Sequence, residues 1–108
     1  MNEEIRLITV TRQMVNGHET ETETSRTVWA GARSVTRSEY YQSYQAGLNA
    51  AKIYKVNKDE LGDAEYVDDD TAKKRYRIIR TYEPDVQYVE LTVEEKRGAY
   101  KPPATDFA

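Results

Sequence analysis

Apolar residues in this chain recur mostly at alternate positions rather than at helical spacing. Between positions 5 and 14, Ile5, Leu7, Ile8, Val10 and Met14 interleave with Arg6, Thr9, Thr11 and Arg12, which predicts a β-strand. Val15-Asn16-Gly17-His18 follows, and Asn-Gly between two β-type runs marks a tight hairpin because both residues tolerate positive φ. The returning strand alternates Glu19, Glu21 and Glu23 with Thr20, Thr22 and Thr24 and has no apolar face. Its first half therefore reads as a solvated arm whose carboxylates oppose edge-to-edge aggregation. The second half, Thr27-Val28-Trp29-Ala30 and on through Arg33 and Val35, reads as buried.

The period then changes. Thr36 with Glu39 three residues on makes a capping-box pattern, Tyr40, Tyr44 and Leu48 share one helical face, and Gly47 supplies a C-terminal stop. A short helix or helical loop is expected over 36–47, with its tyrosine stripe packed as core. Strands are then predicted over 52–58, 64–67, 75–82 and 86–93, with Leu61-Gly62-Asp63 as a turn and Asp68-Asp69-Asp70 as a loop. In the 75–82 strand, alternation puts Tyr76, Ile78, Arg80 and Tyr82 toward the core, and Arg75 and Arg77 outside. Six short strands and one helical segment predict an all-β fold, a small antiparallel barrel or sandwich with the helix between strands 2 and 3. Residues 1–98 make one domain, and 99–108 form a tail without strand or helix pattern, either flexible or docked on a neighbour.

Composition narrows the function classes. At 108 residues and a formal charge of −3, this is one small acidic domain, and its pI near 5.2 argues against strong non-specific affinity for nucleic acid. No cysteine is present, so disulfides, thiolate metal sites and thiol nucleophiles are excluded. No apolar run is long enough to span a membrane. Nine tyrosines against one Phe and one Trp favour half-buried faces and interfaces over a dry interior.

Candidate chemistry is sparse. His18, the single histidine, sits at the predicted turn, where no pocket or orienting partner is expected. The acidic run Asp59, Glu60, Asp63, Glu65, Asp68, Asp69 and Asp70 aligns poorly with a calcium loop, since Leu61 takes one ligand position and Asp68 replaces the bidentate glutamate. It reads as a solvated turn, and a carboxylate pair within it lacks the pocket a hydrolase needs. The five glycines are isolated, so no phosphate loop or nucleotide cofactor is indicated. No catalytic, cofactor or metal residue is assigned. Lys73, Lys74, Arg75 and Arg77, with nearby tyrosines, leave open a small barrel that binds single-stranded nucleic acid.

One string is more specific: Thr27-Val28-Trp29-Ala30-Gly31-Ala32-Arg33-Ser34-Val35-Thr36-Arg37-Ser38-Glu39-Tyr40-Tyr41-Gln42, followed by Gln45-Ala46-Gly47-Leu48. It resembles the signature of tailed-phage head-closure proteins, also called head-tail joining or head-completion proteins. Tyr76-Arg77-Ile78-Ile79-Arg80-Thr81-Tyr82 and the closing Val89-Glu90-Leu91-Thr92 extend the similarity over most of the chain. The family's Pro-Glu pair after Gly-Leu and its compact Gly-Lys turn are replaced here by Asn49-Ala50-Ala51 and by residues 68–74.

The resemblance implies a small β-barrel and a structural virion protein, not an enzyme. Such a protein forms a ring, expected to be dodecameric, at the portal and head-tail adaptor vertex. The ring closes the head around packaged double-stranded DNA and presents a surface to the tail-side connector protein. Its location would be the virion head-tail connector, and the host cytoplasm during assembly, with no membrane involved. The segment 37–51 would project toward the channel, which makes Arg37, Glu39, Tyr40, Tyr41, Gln42, Tyr44 and Gln45 candidate gate or interface residues. Arg75, Arg77 and Arg80 mark a candidate interface strand.

Overall fold

The structure is a computed structural model and describes residues 3–102. Its elements run β1 (Glu3–Val15), β2 (His18–Arg33), α1 (Arg37–Gln45), β3 (Lys52–Asn57), α2 (Lys58–Leu61), β4 (Tyr66–Asp69), β5 (Lys74–Tyr82) and β6 (Tyr88–Glu95). The six strands close into an antiparallel barrel in the order β1-β2-β3-β6-β5-β4. Asn16 and Gly17 both take positive φ, 53° and 79°, so the Asn-Gly turn forms where the sequence places it.

β1 pairs with β2 along its whole length, from Glu3↔Ala30 to Val15↔His18. Their other seams are short. β1 meets β4 only over Arg6, Leu7 and Ile8, and β2 meets β3 only over Gly31, Ala32 and Arg33. The rest of the hairpin extends past the barrel as an arm, solvated along its Glu/Thr half. At about 3.3 Å per residue a strand of this length accounts for most of the 46 Å long dimension, against 31 and 29 Å for the others.

Alternation sends Ile5 and Leu7, Val28 and Ala30, Tyr54 and Val56, Val67, Tyr76, and Val89, Leu91 and Val93 into one core. Tyr54 is fully buried and meets Tyr76 edge-on at 6.0 Å between ring centroids. Its hydroxyl donates to Asp69 Oδ2 at 3.1 Å, while Asp69 Oδ1 accepts from the Thr71 and Ala72 amides and folds the turn after β4. Burial, followed by the Asp69 charge, pushes the Tyr54 hydroxyl well above the ordinary tyrosine range.

Several expectations are corrected. Asp68 and Asp69 are strand residues and buried, because the fourth strand starts two positions later than predicted and includes them. Arg75 is also buried, not on an outer solvated face. In β5 the register passes from Ile78↔Val93 to Arg80↔Thr92, so Ile79 is an extra residue that reverses the alternation. Arg80 and Tyr82, expected inside, are exposed for this reason. Val86 is 92% exposed in a turn whose Asp85 accepts from the Gln87 and Tyr88 amides, and the last strand begins only afterwards.

Core and surface should separate cleanly on substitution. Leu91→Ala should lower unfolding free energy by about 2–5 kcal/mol in urea titration, while Val86→Ala should change it by less than about 0.5 kcal/mol.

Candidate functional site

Two surfaces of the barrel concentrate polar chemistry. The first lies across β1, β4 and β5, where the outward-pointing side chains are charged yet buried. Asp68, 0% exposed, accepts from Arg75 at 2.7 and 2.9 Å and from Arg6 at 3.3 Å. The remaining Arg75 donors reach Glu23 on β2 at 2.9 and 3.1 Å, and its guanidinium lies 5.1 Å from the Tyr66 ring centre. Arg6 also grips Asp70 at 2.9 and 3.0 Å.

After β6 the chain crosses this face as a strap. The Lys96 amide donates to Arg75 O, Tyr100 donates to Asp70 at 2.7 Å, Arg6 donates to Lys101 O at 2.6 Å, and Lys101 Nζ lies 3.2 Å from Glu23. Tail residues Tyr100 and Lys101 therefore dock on their own barrel. Residues 103–108, the rest of the predicted tail, lie outside the described residues.

Three cations, Arg6, Arg75 and Lys101, face three carboxylates, Glu23, Asp68 and Asp70, so the cluster is neutral. The Asp68 hydrogen bond, with Glu23 adding to it, lifts Arg75 above its ordinary value against the opposing effect of burial. Hydrogen bonds from Arg75, then Lys101, hold Glu23 below the usual carboxylate range. Burial works to raise Asp70, but hydrogen bonds from Arg6 and Tyr100 outweigh it and the net shift is downward. Every acid and base here is matched to a partner, which suits a fastener rather than a proton-transfer site.

The second surface is built by α1. Its capping box forms as the sequence predicts: Thr36 Oγ1 accepts from the Glu39 amide at 3.2 Å, and Glu39 Oε1 accepts from the Thr36 amide at 2.8 Å. Arg33 bridges Glu39 at 3.0 Å and Glu90 of β6 at 3.3 Å, which fixes the helix start to the barrel. The Arg33 hydrogen bond, then that of the Thr36 amide, lowers Glu39 to about 2. At the other end Gly47 takes φ 79°, and the Leu48 amide donates to Ser43 O in a Schellman-type stop.

The tyrosine stripe does not pack as core. Tyr40 and Tyr44 stack on each other at 6.3 Å but are 41% and 67% exposed, and Tyr41 is 63% exposed. α1 has no buried residue, and its contact with the barrel runs through Arg33 and Glu39 instead of an apolar face. Of the expected interface residues, Arg37, Tyr40, Tyr41, Tyr44 and Gln45 share this open face, Gln42 is exposed but lines the barrel side of the helix, and Glu39 is committed to the cap.

The expected interface strand divides. Arg75 belongs to the ion cluster, Arg77 is paired with Glu94, and Lys74 lies 3.6 Å from Glu95. Arg80 has no carboxylate within 4.0 Å among the described residues. The acidic run also disperses, and among the described residues no three acidic or histidine side chains converge on a metal-sized space. His18 is at the exposed hairpin turn. No protein-family model, curated protein or solved structure matches this chain.

The cluster itself was not anticipated from sequence. Its only local sign was Asp68 in alternation with Val67, and its partner Arg6 lies 62 positions away.

Two outcomes test these assignments. Asp68→Ala removes the fully buried carboxylate and leaves Arg75 with Glu23 alone and Arg6 with Asp70 alone, so it should cost about 3 kcal/mol in urea unfolding. Asp68→Leu together with Arg6→Met, Arg75→Leu, Glu23→Gln and Asp70→Asn, which removes the partners as a set, should recover most of that loss. Because Glu39 is depressed from 4.5 to about 2, its contribution is full above pH 4.5 and is lost as pH falls through about 2. Hydrogen-exchange protection of α1 should therefore fall over that interval, and Glu39→Gln should remove that part of the pH dependence.

Proposed function

We propose that this chain is a structural connector subunit of a tailed-phage virion. It assembles as a ring on the portal and adaptor proteins, closes the DNA-filled head and receives the tail-side connector. The observation that carries the reading is a division within the signature string. Its Thr36 and Glu39 build the helix cap and its Val28 and Ala30 fill the core. Tyr40, Tyr41, Gln42, Tyr44 and Gln45 have no such folding role and stand exposed on one short helix. Large exposed aromatic rings with polar tips are the residues that protein interfaces favour.

The arm adds support. β2 carries backbone donors and acceptors on an edge that β3 covers at only three residues, and Trp29 on the barrel's outer face is 59% exposed. A ring subunit gains neighbours on both flanks, and such edges give it somewhere to pair.

Single-strand binding, the other reading, has less to draw on. Of the four cations on which it rests, Arg75, Arg77 and Lys74 each have a carboxylate partner, and only Lys73 has none within 4.0 Å among the described residues.

Light scattering and negative-stain imaging of the chain mixed with the portal and adaptor proteins encoded beside it test the proposal. Rings are expected on mixing with the wild-type chain and not with a Tyr40→Ser, Tyr41→Ser, Tyr44→Ser variant of unchanged fold. A chain that stays monomeric with both proteins, yet binds short single-stranded DNA with steep salt dependence, overturns it.

A further inference from the structure

The α1 groove, between that helix and the outer face of β3, β6 and β5, is floored by buried Ile53 and presents little to a partner. The β1–β2 arm presents two open edges. Its hairpin closes on Val15↔His18 around a two-residue turn, so odd-numbered residues of β1 exchange hydrogen bonds with even-numbered residues of β2. The N–H and C=O groups of the others point away from the hairpin: those of Val10, Arg12 and Met14 on β1, and of Glu19, Glu21 and Glu23 on β2. Ile8 follows the same parity, since its carbonyl accepts from the Glu65 amide across the β4 seam. β4 covers β1 only as far as Ile8 and β3 covers β2 only from Gly31, which leaves both rows open.

The two rows differ in what guards them. On β2 each outward group in the arm belongs to a glutamate, so a second β2 laid alongside would set carboxylate against carboxylate. On β1 the row carries Val10, Arg12 and Met14, and the opposite face carries only the uncharged Thr9, Thr11 and Gln13. Met14 is 70% exposed. Arg12, the single charge, already lies 3.2 Å from Glu65 and 3.4 Å from Glu21. Against β2 of another copy it would meet three further carboxylates, whereas against another β1 it meets an arginine held by the same two partners. We propose that β1 of one copy pairs antiparallel with β1 of a second copy across a two-fold axis, Val10 opposite Met14 and Arg12 opposite Arg12. The resulting β2-β1-β1-β2 sheet gains about six backbone hydrogen bonds, covers Met14, and keeps both glutamate rows on its outer edges. A contact of this symmetry closes at two copies. It is confined to residues 9–15 of each chain, which makes the dimer a weak one.

The pairing is a property of the chain alone and does not rest on the connector reading. A chain that dimerises but ignores portal and adaptor proteins overturns only that reading, and one that assembles with them but never dimerises overturns only this one. In sedimentation equilibrium of the full chain, the mass should rise from 12.5 kDa toward twice that value between about 10 μM and 1 mM. Met14→Pro deletes an outward N–H and spares the β1–β2 ladder, so its circular dichroism should be unchanged while association weakens at least about tenfold. Glu19→Pro makes the same change directly across the ladder, on the guarded edge, and should leave association as in the wild type. In the wild-type chain, hydrogen exchange of the Arg12 and Met14 amides should slow as concentration rises over that range, while the Glu19 and Glu21 amides stay fast. A constant mass up to about 1 mM, equal association of the two proline variants, or slowing at Glu19 and Glu21 in place of Arg12 and Met14 would overturn the proposal.

Discussion

Closure of this barrel depends on two seams of three residue pairs each, and each is braced on its outer face by arginine. At the β1–β4 seam, Arg6 and Arg75 meet on the buried carboxylate of Asp68, which joins β1, β4 and β5. At the β2–β3 seam, Arg33 sits on the last residue pair and ties β2 to β6 through Glu90 and to α1 through Glu39. The two clamps differ in environment. The first is buried at Arg6, Asp68 and Arg75 and rimmed by the strap, so its inner ions are held by matched geometry and would be costly if unmatched. The second is half exposed, screened by solvent, and fixes direction more than it adds stability.

The clamps also explain how a chain of low apolar content holds a closed fold. Its core is small, nine aliphatic residues packed with Tyr54 and Tyr76. Burial beyond it comes from the strap beside the Arg6–Asp68–Arg75 cluster and from the α1–β3 connection near Ile53. Much of the charge is spent in holding the barrel together, while Tyr40, Tyr41, Tyr44, Trp29 and Tyr82 leave large aromatic surface exposed to a partner.

Much of the architecture was legible in the sequence because each cue was local. Alternation located the strands, Asn16-Gly17 set the hairpin, and Thr36, Glu39 and Gly47 bounded the helix. What escaped was non-local. A run of three aspartates reads as loop until Arg6 and Arg75 are known to lie opposite Asp68, since only those partners make its burial tolerable. The bulge at Ile79 carries no distinctive residue, yet it turns Arg80 and Tyr82 outward and changes which side chains face the α1 groove. The tyrosine stripe had correct helical spacing, but spacing does not say whether a face meets core or solvent.

Native-state hydrogen exchange tests the seam account most directly. The Glu65 amide donates across the closing seam to Ile8 O at 2.8 Å, and its exchange can be compared with that of amides in the fully paired β3–β6 ladder. The account predicts one opening free energy for both, because the arginine clamp makes the seam part of the global unit. Exchange of Glu65 through a lower-energy opening, with β3 and β6 still protected, would contradict it.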